Sequence, residues 1–286
     1  MFIKDELMVV IRCLAYNHEP YIRQCLDGFV MQKTNFRFEA IVHDDASTDG
    51  TASIIREYAE KYPDIIKPIY ETENQYSKRD GSLSRIMDAH MHGKYIAICE
   101  GDDYWTDPYK LQKQVDFMEA NPEYSMCYTN IDRYNQKTKV FDEWILSDSN
   151  VITVDDLMIF NRVHTLTVLL RKELLLEYSV KKPQVLENLP MGDYPMWLWM
   201  SLQGPIYHFK DKMGVYRVLE NSASHIKDKF KKYKFFLAGY NLRLYFNKEY
   251  KLGYYDLWFR RLKFVVVSCI KNGWYKEMLN DILRWK

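Results

Sequence analysis

Apolar and polar residues fall in alternating blocks along the first hundred positions. Leu7 to Leu14 is apolar apart from Arg12 and predicts a buried strand. The polar loop Ala15-Tyr16-Asn17-His18-Glu19-Pro20 follows. From Tyr21 to Gln32 the apolar residues Ile22, Leu26, Phe29 and Val30 share one helical face. Phe38 to Val42 predicts a second strand, Thr51 to Tyr62 a helix with Ser47, Thr48 and Asp49 available as caps, and Ile65 to Tyr70 a third strand. Glu71 to Ser82 reads as a long loop, Leu83 to His92 as a helix, and Ile96-Ala97-Ile98-Cys99 as a short, fully buried strand. Strand and helix alternating over short loops predict a largely parallel sheet covered by helices on both faces.

Such sheets bind ligands in the crevice beyond the carboxyl ends of their strands. Two acidic clusters stand at predicted strand ends, Asp44-Asp45 and Glu100-Gly101-Asp102-Asp103. Crowded carboxylates repel one another and resist desolvation, so a site that gathers them calls for a cation or raised pKa values. The alternative for any single cluster is a solvated acidic turn. Neither a Gly-x-Gly-x-x-Gly after the first strand nor a Gly-x-x-x-x-Gly-Lys-Ser/Thr occurs, so the usual dinucleotide and P-loop cradles are missing. Pyrophosphate charge would then be met by side chains and by Mg2+ or Mn2+.

These residues are similar to a known family. Leu14-Ala15-Tyr16-Asn17 before a helix resembles the first strand and loop of family 2 glycosyltransferases of the GT-A fold. The run from Val42 through Asp44-Asp45-Ala46-Ser47-Thr48-Asp49-Gly50 to Thr51 resembles that family's Val-Val-Asp-Asp-Gly-Ser-Thr-Asp-Gly-Thr signature. Gly93-Lys94-Tyr95-Ile96 into Glu100-Gly101-Asp102-Asp103 resembles its metal-binding strand end, usually Asp-x-Asp-Asp. The resemblance implies an α/β, Rossmann-like GT-A domain and a nucleotide-sugar donor, most often a UDP-sugar. Ala15, Tyr16, Asn17 and Glu19 would border the nucleotide, and one of Asp44 and Asp45 would bind the base. Asp102 would ligate Mn2+ or Mg2+, with Glu100, Gly101 and Asp103 around the sugar and ribose, and Arg85 near phosphate or base.

Thr106 to Leu111 opens a helix continuing to Asn121, Tyr124 to Ile131 predicts a strand, Asp132 to Ile152 a variable excursion, and 153–160 a short helix. The run from His164 to Lys172 resembles the family's acceptor-side strand, placing His164 there, together with Trp105 and Arg217. Gly192-Asp193-Tyr194-Pro195 opens an apolar helix, where the family carries its catalytic base, which makes Asp193 the candidate. A carboxylate there also suits a helix cap. Two positions depart from the pattern. Glu100 stands where the family usually has aspartate, and Leu219 where the closing Tyr-Arg-x-His…Ser segment often has histidine, with His225 six residues further on.

Composition changes this picture at the C-terminal end. The chain is globular in make-up, 47% hydrophobic and 28% charged, with a formal net charge of +1. That balance hides an asymmetry, because from Ile226 onward 15 Lys/Arg face 5 Asp/Glu. The reading is a glycosyltransferase domain over 1–225, with a donor half to about 111 and an acceptor half from 112, followed by a basic, aromatic helical tail over 226–286. Basic charge beside Trp258, Phe259 and Phe264 suits an anionic membrane surface, packing on the body or an oligomer contact. No nucleic-acid module is visible. Five scattered cysteines give no disulfide framework or zinc site. Without a signal pattern or a run of roughly 18–20 apolar residues, the expected location is cytoplasmic, or peripheral on the cytosolic face of a membrane.

The expected function is metal-dependent, inverting sugar transfer to a saccharide or lipid-linked saccharide acceptor in surface polysaccharide or glycolipid synthesis. The rivals are a metal-dependent nucleotidyltransferase and a non-catalytic binding protein on a degenerate GT-A fold.

Overall fold

The strands are β1 (Leu7–Ala15), β2 (Arg37–Asp44), β3 (Ile66–Tyr70), β4 (Tyr95–Ile98), β5 (Tyr104–Trp105), β6 (Met126–Asn135), β7 (Val140–Asp142), β8 (Val151–Ile152), β9 (Leu169–Arg171) and β10 (Ile206–Val218). The helices are α1 (Ile22–Val30), α2 (Thr51–Lys61), α3 (Gln75–Lys78), α4 (Ser82–Asp88), α5 (Lys110–Ala120), α6 (Val154–Ile159), α7 (Lys172–Lys181), α8 (Tyr194–Gln203), α9 (Lys229–Glu249), α10 (Leu257–Asn272) and α11 (Tyr275–Leu283). This computed structural model describes residues 6–142, 149–186, 189–219 and 226–283. His225 and residues 220–224, the end of the segment that closes the family resemblance, lie outside them. The chain divides into two units, Met1–Lys182 with Trp199–Leu219, and Pro183–Leu198 with Glu220–Lys286.

In the first unit ten strands form one sheet in the order β3-β2-β1-β4-β9-β6-β10-β5, with β7 paired to β6 and β8 to β10. The block β3-β2-β1-β4 is entirely parallel, as the alternating blocks of sequence predict. Beyond it, β9 runs antiparallel to both β4 and β6, while β6 and β10 are parallel to each other. The odd positions Val9, Ile11, Cys13 and Ala15 of β1 pack into a core with Ile22, Cys25, Leu26 and Phe29 of α1 and Ile55 and Tyr58 of α2. Each Leu or Phe side chain fully buried there contributes about 1.5–3 kcal/mol.

The long loop expected over 71–82 contains a turn of helix, α3, capped by the Asn74 side chain, which accepts from the Ser77 N–H at 2.8 Å. The strand expected from His164 to Lys172 starts late. Thr167 turns back on His164, its N–H (3.0 Å) and its hydroxyl (2.7 Å) both donating to the His164 carbonyl, so 165–167 is a 3-10 turn. Threonine hydroxyls offer the backbone this local alternative to a ladder.

The site-bearing part of the sheet is pinned from below at Trp105. Its ring lies edge-on to Phe29 at 5.1 Å, its indole N–H donates to the Leu166 carbonyl at 2.7 Å, and the Lys110 ammonium sits 4.2 Å from the ring centroid. Burial pushes the Lys110 pKa down to about 7, and its Nζ donates to Gln114 Oε1 at 2.6 Å. Helix α1 approaches so closely that a Cβ at Gly28 would lie 2.9 Å from the Trp105 backbone nitrogen.

In the second unit Tyr233, Leu237, Val265 and Cys269 form a small core between α9 and α10. Asp281 of α11 accepts from the Tyr233 hydroxyl and the Lys234 ammonium, both at 2.8 Å. Among the described residues no helix is long and apolar enough to cross a membrane.

Gly28→Ala tests the pin. The clash is with backbone, which cannot rotate away, so the variant should lose about 1–3 kcal/mol in urea unfolding despite alanine's better helix propensity.

Candidate active site

Strands β2, β1 and β4 are parallel neighbours, so their C-terminal ends open onto one crevice edge. The loops leaving them are joined by hydrogen bonds. The Ala15 carbonyl accepts from the Asp45 N–H at 2.9 Å, and the Leu14 carbonyl from the Gly101 N–H at 2.9 Å. Asn17, at φ 55°, donates its N–H to Ser47 Oγ and accepts from the Thr48 N–H through its side chain. Asparagine tolerates this left-handed backbone. Ala46 sits at φ 61°, where the family signature has glycine, so this turn carries local strain. The Glu19 carboxylate accepts from the Gly50 N–H at 2.8 Å, which commits it to the start of α2. Gly101 lets the strand-end loops touch, since a Cβ there would be 2.8 Å from His18 Nδ1.

The acids so gathered have different tasks. Asp45 is buried, its two carboxylate oxygens accepting from the backbone N–H groups of Gln75 (2.6 Å) and Tyr76 (3.1 Å). It therefore clasps α3 onto the crevice rim. Asp44 is equally buried, yet its Oδ1 has no hydrogen-bond partner among the described residues, and only a long 3.4 Å contact from the Ser47 N–H reaches Oδ2. An unmet buried acceptor is costly, and in this Asp44 differs from Asp45, whose oxygens are both taken up. Asp103 is buried and accepts from the Arg217 N–H at 2.7 Å. Burial first, and the neighbouring Asp102 second, push its pKa well above the usual carboxylate range. Asp102 is half-buried.

Arg217 is buried beside this cluster, its guanidinium 4.6 Å from the Tyr104 ring centroid and bonded to Gln24 and Gln136. Trp105 belongs to the core, so any effect on an acceptor passes through the backbone it holds. His164 lies 5.9 Å from the Tyr216 ring, and burial, with Arg133 nearby, pushes its pKa down to about 4. Tyr16 is 46% exposed at the crevice rim, where a ring could stack on a base. Arg85 is exposed and donates to the Asp80 carbonyl at 2.8 Å. Asp193 belongs to the second unit and immediately precedes α8, its carbonyl accepting from the Trp197 N–H at 3.1 Å.

Among the described residues no group of three or more His, Cys, Asp or Glu side chains is arranged to hold a metal ion. One half-buried carboxylate, Asp102, beside other oxygen donors still fits Mg2+ or Mn2+, which commonly take one or two protein carboxylates and complete their shell with phosphate and water.

Sequence reasoning missed two residues here. Arg12 was visible as the one charge in an apolar strand. The charges of Glu100 and Asp88 attract it, opposing the lowering of its pKa by burial. His18 lay between two named candidates; burial lowers its pKa, against the pull of Asp102 and Asp49.

The Glycosyl transferase family 2 model matches residues 12–172, and the chain belongs to that family. It is 36% identical over 205 residues to an uncharacterised protein of Mycobacterium tuberculosis, covering 71% of this chain and 57% of that one, so the chain spans little more than half of that relative. It is 26% identical over 194 residues to the Escherichia coli UDP-Glc:alpha-D-GlcNAc-diphosphoundecaprenol beta-1,3-glucosyltransferase WfgD, covering 68% of this chain and 70% of WfgD. Its fold matches S. aureus TarS 1–349 in complex with UDP-GlcNAc (TM-score 0.62, 18% identity, 82% of this chain and 66% of that one). It also matches the mannosyltransferase PcManGT from Pyrobaculum calidifontis in complex with GDP-Man and Mn2+ (TM-score 0.59, 20% identity, 82% and 64%). The GT-A architecture expected from the sequence is therefore present, with α9–α11 as its C-terminal helices.

The depressed His164 pKa has a sign that can be measured. An unfolded histidine titrates near 6.5, so between about 6.5 and about 4 the unfolded chain binds the extra proton. The stabilisation is complete above that window and is lost as pH falls through it. His164→Gln should flatten the stability profile there by up to about 1.4 kcal/mol per pH unit, read by denaturant titration at stepped pH. A slope unchanged by the substitution would contradict the buried, neutral imidazole.

Proposed function

We propose that this chain transfers a sugar from a nucleoside diphosphate sugar, with UDP the first candidate, to a hydroxyl of a saccharide on a lipid carrier, with inversion at the anomeric carbon. The observation that carries the reading is the placement of Asp44 at the carboxyl end of β2 and of Glu100 and Asp102 just beyond that of β4, the two parallel strands that flank β1, with one Asp44 oxygen unmet. WfgD, by its name a UDP-glucose transferase acting on a diphosphoundecaprenol-linked sugar, supports the donor and acceptor classes. The GDP-Man and Mn2+ in PcManGT support a metal-assisted donor site and leave GDP as the competing nucleotide.

In this reading Tyr16 stacks on the base and Asp44 accepts its N–H. Asp102 would hold a divalent cation, which when bound would supply neutralisation of the charge on the departing diphosphate. Glu100, backed by Arg12, faces the donor sugar. The acceptor oxygen attacks the anomeric carbon, the bond from that carbon to the phosphate oxygen breaks, and the nucleoside diphosphate leaves with the electron pair. Asp193 takes the acceptor's proton as general base. His164, with a pKa of about 4, is neutral at physiological pH and suited to hydrogen bonding on the acceptor side rather than to proton uptake.

Two substitutions separate the roles. Asp102→Ala should abolish Mn2+-dependent donor turnover and weaken nucleotide binding measured with Mn2+ by calorimetry. Asp193→Asn should lower transfer by about 10²–10⁴-fold while donor affinity stays near that of the parent. If Asp193→Asn loses donor binding instead, it is not the base. If UDP, GDP, CDP and dTDP all fail to bind with Mn2+ present, the transferase reading itself fails.

A further inference from the structure

The basic tail predicted from composition resolves into two kinds of aromatic and apolar residue. Phe230, Tyr233, Phe264 and Trp274 face inward and touch one another, with Tyr233 and Phe264 stacked at 5.6 Å and Phe230 against Trp274 at 5.1 Å. A second set faces outward on α10. Phe259 is 67% exposed, Val267 55% and Ile270 54%, while Leu257, Arg261, Val265 and Cys269 of the same helix are buried. At 3.6 residues per turn, Phe259, Ile270, Lys263 and Val267 fall within about 80° of arc, flanked on one side by Arg260 and Lys271. The outward face of α10 is thus apolar along its middle and cationic within and beside it. Beside this face Tyr240 of α9 and Arg260, Lys263, Phe264, Val267 and Ser268 of α10 line an open groove.

The unit's acids do not cancel that charge. Asp228 caps α9 by accepting from the Lys231 N–H, and Asp281 is taken up by Tyr233 and Lys234. Asp256 pairs with Arg260 at 2.6 Å across an exposed face, a contact of small worth that a phosphate could displace. Helix α11 adds an apolar stripe at positions four apart, with Tyr275 and Leu279 each 58% exposed and Leu283 70%.

We propose that the outward face of α10 docks on an anionic lipid bilayer, with Phe259, Val267 and Ile270 entering the headgroup boundary and Arg260, Lys263 and Lys271 meeting lipid phosphates. Charge complementarity favours an anionic surface, because the same face of a second copy would bring the same cations against it. Exposed apolar residues among cations are what an interfacial helix needs, and the 15 Lys/Arg against 5 Asp/Glu after Ile226 supply the long-range attraction. The proposal is independent of the donor sugar and of the transfer reaction.

Co-sedimentation of the full chain with vesicles of phosphatidylcholine alone, and of phosphatidylcholine with phosphatidylglycerol, tests it. Binding should require the anionic lipid and weaken at high salt. Arg260→Ala with Lys263→Ala removes two surface cations and should lower the partition coefficient by about thirtyfold. Phe259→Ser with Val267→Ser should lower it by about tenfold or more, and circular dichroism should show both variants folded, since all four side chains are exposed. Three results would overturn the proposal: no binding to anionic vesicles, binding that neither pair of substitutions changes, or a concentration-dependent dimer that the Phe259 and Val267 changes dissolve.

Discussion

Much of the body depends on one buried carboxylate. Asp103 lies at the end of the strand-end loop, out of water and next to Asp102, where an unpartnered carboxylate would be strongly disfavoured. It is met by the N–H of Arg217, 114 residues further along the chain. That bond fixes the end of β10 against the crevice, beside the short β5–β10 pairing at Gly214 and Val215, and so brings Arg217 over Tyr104. The acidic loop is thereby held between the first parallel block and the last long strand of the unit. The surroundings give each acid its own work: Asp45 binds backbone, Asp103 binds β10, Asp44 keeps an open acceptor, and Asp102 stays partly in water.

The donor half of the fold was legible in the sequence because its parallel strands are buried on both faces and read as apolar runs between polar loops. Hence β1, β2, β3 and β4 fall within a residue or two of their expected bounds. The second half was less legible. Strand β10, Ile206–Val218, alternates buried and exposed only in part and carries Lys210, Asp211 and Lys212 at its middle, where its register to β6 shifts. Strand β5 has two residues, too few for any pattern. His164 looked like the head of a strand until the Thr167 hydroxyl, a local competitor no periodicity reveals, turned the backbone into a helical turn.

The same contrast holds within the site. The acids were legible as clusters, and the loops that carry them were found by their turn residues. Which of Asp44 and Asp45 stays open was not legible, because it depends on whether α3 folds back to place two N–H groups on one of them. Trp105 was expected on the acceptor side of the site, and tertiary packing makes it a buried support. Arg12 carried a signal that went unused: a lone cation in a buried strand needs a partner, and Glu100, with its longer arm, is among those facing it. The departure from the family's usual aspartate at position 100 thus has a local electrostatic context.

Arg217 has one more consequence, which is mechanical. The first unit ends at Leu219, two residues beyond the Asp103-to-Arg217 bond. Tension applied through the C-terminal helices would therefore enter the sheet at the last residues of β10. There it would load a strand paired in parallel with β6 from Ile206 to Val218, with two shifts of register on the way. The acid that tethers this exit is itself part of the strand-end cluster. Strain arriving from the tail would reach the crevice at Asp103 before the parallel block β3-β2-β1-β4 had to yield.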